Sequence, residues 1–200
     1  MESARPPVPA IRRSAAKSRA LAYDLAALFL GLLVPSLIDA QQAKLSDQQI
    51  RTAYVLNFIR YTDWPDRAFA GSDANIVLCT FGGDPGAPGL AGIAGKQVRG
   101  RTITLRSVAG ADDARGCNVL FVREPEARRF VGTLRALQHQ PVLTISEADA
   151  FIDAGGMIGL VQLDDRLQFE INLTAIQQAQ LKANLQLLRL ARNVIEARPR

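Results

Sequence analysis

The sequence has few of the residues from which catalytic and metal centres are built. It holds one histidine, His139, and two cysteines in 200 residues, and it has no G-x-S-x-G nucleophile elbow. No carboxylate pair stands at ligand spacing from His139, which falls at the end of a predicted helix, where a solvated or capping histidine is more common than a catalytic base. We therefore expect no catalytic residue, no metal and no cofactor.

The glycine-rich stretch 82–96 lacks the ends of a phosphate-binding loop. Its segment LAGIAGKQ approximates a P-loop, but Leu90 stands where the motif needs its first glycine and Gln97 where it needs Ser or Thr. The stretch also lacks the G-x-G-x-x-G motif of dinucleotide-binding folds. No acidic residue follows at the spacing needed to bind the ribose of such a cofactor. These departures argue against a nucleoside triphosphatase or a dinucleotide-binding enzyme.

A basic stripe for nucleic acid is missing as well. The net charge is +5, and it falls to +3 when the five basic and three acidic residues of positions 1–40 are set aside. The remaining basic residues are single or in pairs, without the aromatic residues that interleave in a phosphate-tracking groove. We expect no nucleic-acid partner.

No apolar run after residue 40 is long enough to cross a membrane, whereas residues 1–40 resemble a signal peptide. Five basic residues precede the ten-residue apolar run Leu25–Val34, and Ala40 offers a small residue for cleavage. The alternative, an uncleaved anchor, is less favoured because a span needs roughly 20 apolar residues. The sequence predicts export, with a single domain at 41–200.

The two cysteines, Cys79 and Cys117, both lie in the exported part. An even number in an oxidising compartment suggests a disulfide, and closing a loop of about 39 residues would stabilise the fold by roughly 4 kcal/mol. The alternative is two buried free thiols, each on a strand. Export favours the disulfide.

The hydrophobic pattern predicts a layered α/β domain. A first helix is expected to begin at Ser46, the N-cap of a capping box with Gln49, and to end before Pro65. A second helix is expected from Pro125, with Phe130, Leu134 and Leu137 on its inner face. Three short apolar runs read as strands, at 75–81, 118–122 and 141–146, and runs of this kind indicate central strands covered on both faces. A further strand is expected at 101–107, where polar and apolar residues alternate.

The last third predicts a hairpin and then a long helix. The two extended runs around Asp164 and Asp165 are close enough for an antiparallel hairpin. Asn172 is expected to cap a long helix in the last segment, 173–200, which has leucines at helical spacing. The fold class is thus α/β, with a mostly parallel central sheet of about six strands and a C-terminal antiparallel hairpin, sandwiched by helices.

The first helix is apolar on most of its surface. One aromatic stripe is expected to pack on the sheet and consists of Tyr54, Phe58 and Tyr61. Three further apolar residues lie off that stripe and are predicted to form an exposed patch for a partner: Val55, Ile59 and Trp64.

An ordered series of segments resembles the YfiR family of periplasmic regulators. It covers about residues 45–195 and runs AYVLNFIRYTDWP, IVLCTFG, GCNVLFV, PVLTIS, GGMIGLV, FEIN and LLRLARNV. The resemblance places Cys79 and Cys117 at the family positions that form a disulfide. Members can carry a second cysteine pair in the later half, and this chain has no cysteine there.

The resemblance implies a non-enzymatic regulator in the periplasm of a Gram-negative bacterium. Its best-known members bind the periplasmic domain of an inner-membrane diguanylate cyclase and repress it, which lowers cyclic-di-GMP and biofilm formation. An OmpA-like outer-membrane lipoprotein sequesters them in turn. A homodimer, a periplasmic small-molecule binder or sensor, and a hydrolase built around His139 are kept as alternatives.

Overall fold

The computed structural model describes residues 35–82, 90–123, 127–164 and 166–196, with side chains from residue 47 onward except 127–129. The domain described below is the compact unit that begins at Ser46. The predicted signal peptide 1–40 lies almost entirely outside the described residues and stays a prediction. Within the described part of the chain, no helix combines the length and apolar character needed to cross a membrane.

Helices and strands follow one another in this order: α1 (Pro35–Arg60), β1 (Thr62–Asp63), β2 (Ile76–Phe81), β3 (Gln97–Val98), β4 (Arg101–Val108), α2 (Ala111–Ala114), β5 (Val119–Val122), α3 (Ala127–Leu137), β6 (Leu143–Ser146), β7 (Ile158–Leu163), β8 (Arg166–Asn172), α4 (Leu173–Gln178), β9 (Lys182–Ala183), α5 (Leu185–Leu190) and β10 (Asn193–Ile195). Two short 3-10 turns cover Asp66–Ala68 and Ala91–Ile93.

An eight-stranded sheet forms the centre of the domain, in the order β10-β8-β7-β6-β5-β2-β4-β3. Its pairs are parallel except for the hairpin β7–β8 and the edge pair β3–β4. This confirms the predicted α/β sheet with its C-terminal antiparallel hairpin. The two edge strands β3 and β10 were not predicted, and neither was the separate two-stranded ladder β1–β9.

The first helix is longer than the sequence predicts. It runs over Pro35–Arg60, so Ser46 lies inside it and the predicted capping box is wrong. The residues just before Ser46, at 40–45, are mostly good helix formers, and nothing in them stops the helix. Its predicted end before Pro65 is confirmed.

The predicted C-terminal helix is divided into two short ones. Asn172 caps α4 as expected, since its side chain accepts a hydrogen bond from the backbone N–H of Ala175 at 2.9 Å. The left-handed backbone of Gln180 (φ 59°) follows the end of α4, and Asn184 caps α5. The prediction of one helix is wrong because β9 and β10 pair with β1 and β8 in place of helical hydrogen bonding.

Two apolar layers cover the sheet, one on each face. The first is formed by α1 and the segment after β8, and it includes Phe58, Phe169 and Ile176. The second is formed largely by α3, with Phe130 and Leu134 buried as predicted. Both faces of the central strands are therefore covered, which explains their unbroken apolar runs.

Cys79 and Cys117 form a disulfide that joins β2 to the start of β5. Their Cα atoms are 6.0 Å apart, within the range such a bond requires. The two strands are neighbours in the sheet, and both sulfurs lie in the second apolar layer. The alternative of two free thiols is thus wrong.

Candidate partner-binding groove

An apolar groove lies between α1 and α5, with a volume of about 330 Å³. α1 lines one side from Ile50 to Phe58, with Tyr61 directly after its end, and α5 contributes Leu187 and Leu190. Phe169 of β8 lies between them. The groove is thus built where the first helix and the C-terminal segment meet over the hairpin.

The groove rests on a cluster of three aromatic rings. The ring centroids of Phe58 and Phe169 are 4.9 Å apart, and those of Tyr54 and Phe169 are 5.6 Å apart, both edge to face. Edge-to-face pairs of this kind add to the free energy gained by burial. The Tyr54 hydroxyl also donates a hydrogen bond to the carbonyl oxygen of Leu167 at 2.9 Å. These contacts join α1 to the hairpin and form the floor of the groove.

Exposed apolar side chains border the groove. Ile50 on α1 is 42% exposed and Leu190 on α5 is 62% exposed. Further exposed apolar residues continue from α5 into β10: Leu185, Val194 and Ile195. Outside this region the described chain exposes only two other large apolar side chains, Val131 and Leu163. Such a concentration is typical of a surface that another molecule covers.

Two short connections hold α5 beside α1. The ladder β1–β9 places Ala183 opposite Thr62, just past the end of α1. The backbone N–H of Asn184 then donates to the carbonyl oxygen of Tyr61 at 2.9 Å. α5 starts at the next residue, so these bonds set the position of the second groove wall.

The patch predicted at Val55, Ile59 and Trp64 is not where the exposed apolar surface lies. Val55 and Ile59 are 0% exposed and share a buried cluster with Leu90 and Ile93. The prediction that they form an exposed patch is therefore wrong, because the turn at 90–93 belongs to the core beside that face of α1. Trp64 is half-buried, and its indole N–H donates to the carbonyl oxygen of Asn118 at 3.1 Å.

The aromatic stripe predicted to pack on the sheet is split between core and groove. Phe58 is fully buried, whereas Tyr54 and Tyr61 are half-buried and line the groove. A tyrosine pairs an apolar ring with a polar hydroxyl, which suits the border between core and solvent. That mixed character is a sequence signal for a position at the border of the core, but it does not locate the second wall of the groove.

The groove holds no group suited to acid–base or metal chemistry. Its described lining carries no ionisable side chain except the tyrosines Tyr54 and Tyr61, and its amide group comes from Asn57. Among the described residues, no three His, Cys, Asp or Glu side chains stand close enough to hold a metal ion. His139 is exposed after the end of α3. The chemistry of the groove is therefore that of apolar contact.

The comparison with known families covers this whole region. The model of the YfiR/HmsC-like family matches residues 48–192. The match includes both cysteines, the hairpin β7–β8 and both walls of the groove. It extends over well more than half of the chain. The chain therefore belongs to the YfiR/HmsC-like family.

Proposed function

We propose that the protein is a non-enzymatic periplasmic regulator that binds the periplasmic domain of an inner-membrane diguanylate cyclase and represses it. Membership of the YfiR/HmsC-like family supports this function. The structural observation that most supports partner binding is the apolar groove, which has Ile50 and Leu190 exposed at its border. A groove of this kind gains free energy when a partner covers it.

Repression requires that the regulator distinguish two conformations of the cyclase. A ligand shifts a conformational equilibrium only by the difference between its affinities for the two states. The groove would therefore accept the inactive form of the cyclase domain more tightly than the active form. An OmpA-like outer-membrane lipoprotein, or a second copy of the chain, would relieve repression if it covered the same surface.

Cellular cyclic-di-GMP tests this proposal. A strain that lacks the protein should hold more cyclic-di-GMP and form more biofilm, and the wild-type gene should reverse both. Leu190→Asp should fail to reverse them, since a carboxylate at this position would have to lose its water in the covered groove. Val131→Asp is the matched control, because Val131 is 37% exposed on α3 in the other layer. Unchanged cyclic-di-GMP in the deletion strain would contradict the proposal.

A second candidate function is that of a periplasmic sensor for a small apolar molecule. The groove volume of about 330 Å³ favours it, since small-molecule sites commonly measure about 300–1,000 Å³. A sensor would retain its ligand through purification from periplasm, and mass spectrometry of the denatured protein would reveal it. A protein that carries no such molecule, and still binds the cyclase domain, would favour the first function.

A further inference from the structure

Positive charge lies at both ends of the groove. At one end, the exposed side chain of Arg60 donates from Nη1 to Oδ1 of Asn57, a groove residue, at 3.4 Å. At the other end, Arg166 lines an adjoining cavity of about 340 Å³ that shares Tyr54 with the groove. The two arginines therefore lie near opposite ends of an apolar groove.

Neither of these arginines is neutralised within the described part of the chain. Other arginines nearby are paired, Arg51 with Glu147 and Arg192 with Glu170. Arg60 and Arg166 form no ion pair with a described residue. Of the residues that line the two cavities, only Asp47 is acidic. Each end of the groove thus carries an arginine for which the described residues supply no ion-pair partner.

The length of the groove indicates how long a bound helix could be. Tyr61 directly follows α1 and continues its hydrogen bonding, since its N–H donates to the carbonyl oxygen of Asn57 at 2.9 Å. The eleven residues from Ile50 to Tyr61 therefore advance about 16 Å at 1.5 Å per residue. This is the length of about three helical turns. Grooves between two helices are commonly filled by the apolar face of a third.

We infer that the segment of the partner bound in this groove is a short amphipathic helix with acidic residues at both ends. The inference rests on the proposed function and specifies the partner chemistry of the same site. The apolar face supplies most of the affinity, whereas the carboxylates set orientation and speed association with Arg60 and Arg166. An anionic membrane would meet the same arginines, but a flat surface would leave the concave part of the groove uncovered, whereas a helix can enter it.

Two designed peptides test the inference on the exported form of the protein. Both are fourteen-residue helices with leucines at helical spacing; one carries two glutamates at each end and the other two lysines. Fluorescence anisotropy gives their dissociation constants at low and high salt. The glutamate peptide should bind about tenfold more tightly than the lysine peptide, and added salt should reduce the difference.

Charge reversal on the protein should invert this preference. The double variant Arg60→Glu, Arg166→Glu should favour the lysine peptide, while Arg135→Glu, on exposed α3 surface, should behave as wild type. Circular dichroism confirms that each variant folds. Equal binding of the two peptides, no binding of either, or binding only to anionic phosphatidylglycerol vesicles would each overturn the inference.

The same variants separate this inference from the function on which it rests. If wild type and the double variant bind the cyclase domain equally well, the acidic helix is wrong and the proposed function stands. If wild type does not bind the cyclase domain at all, the proposed function itself fails.

Discussion

The indole N–H of Trp64 donates a hydrogen bond to the backbone carbonyl oxygen of Asn118 at 3.1 Å. Asn118 follows the disulfide residue Cys117, and its own side chain holds two further backbone groups: it accepts from the N–H of Val77 at 2.8 Å and donates to the carbonyl oxygen of Ala68 at 2.9 Å. The segment after α1 is therefore bonded to the same strand start that the disulfide fixes. The position of the groove end at Tyr61 thus depends on the hydrogen bonds of Asn118, which lie outside the groove.

Asn118→Ala should lower the free energy of unfolding by about 2–4 kcal/mol, because it leaves two partly buried backbone groups without partners at about 1–3 kcal/mol each, partly offset by water. Urea unfolding followed by the fluorescence of Trp64, the only tryptophan, measures this. Asn75→Ala is the control, since Asn75 is exposed, and it should shift the midpoint little. A loss equal to that of the control would contradict the role given to Asn118.

Loss of the disulfide should destabilise the domain without changing its fold. The bond joins residues 38 apart in sequence, for which chain entropy predicts a loss of about 4 kcal/mol. The double variant Cys79→Ala, Cys117→Ala, compared with wild type in urea, measures the loss. A reducing agent should shift the wild-type midpoint in the same direction and leave the double variant unchanged. An identical midpoint for wild type and variant would show that the bond does not constrain the unfolded chain.

Asn172→Ala should lower the free energy of unfolding by about 1 kcal/mol, the usual loss for an N-cap. The alanine side chain cannot accept the hydrogen bond from the backbone N–H of Ala175. Thermal unfolding should show a correspondingly lower midpoint. Asn193→Ala, an exposed position in β10, provides the comparison. If Asn172→Ala and Asn193→Ala unfolded at the same temperature, the Asn172 cap would not stabilise the protein.

The sequence predicted those parts of the fold that local chemistry determines. Short apolar runs marked the central strands, and the turn at Asp164 marked the hairpin, because a covered strand and a tight turn each have a local signature. The disulfide was also predicted, because two cysteines in an exported chain favour a bridge, and the structure forms it between Cys79 on β2 and Cys117, two residues before β5. These features need little knowledge of where distant segments lie.

The groove could not be predicted because its walls meet through contacts remote in sequence. The leucines near α5 have helical spacing, but β9 and β10 form only by pairing with β1 and β8, and strands of two or three residues leave no local pattern. Val55 and Ile59 were assigned to the surface because the helix alone does not reveal that Leu90 and Ile93 pack in the same cluster. Tertiary contacts therefore determine both the division of the C-terminal helix and the burial of Val55 and Ile59.

The affinity of the exported form for the purified periplasmic domain of the diguanylate cyclase tests the central claim most directly. Surface plasmon resonance would compare wild type, Leu190→Asp and Val131→Asp. We expect wild type and Val131→Asp to bind alike and Leu190→Asp to bind at least about tenfold more weakly, because its carboxylate disrupts an apolar contact at the groove border. Undiminished binding by Leu190→Asp would contradict the groove as the partner surface, and no binding by wild type would contradict the proposed function.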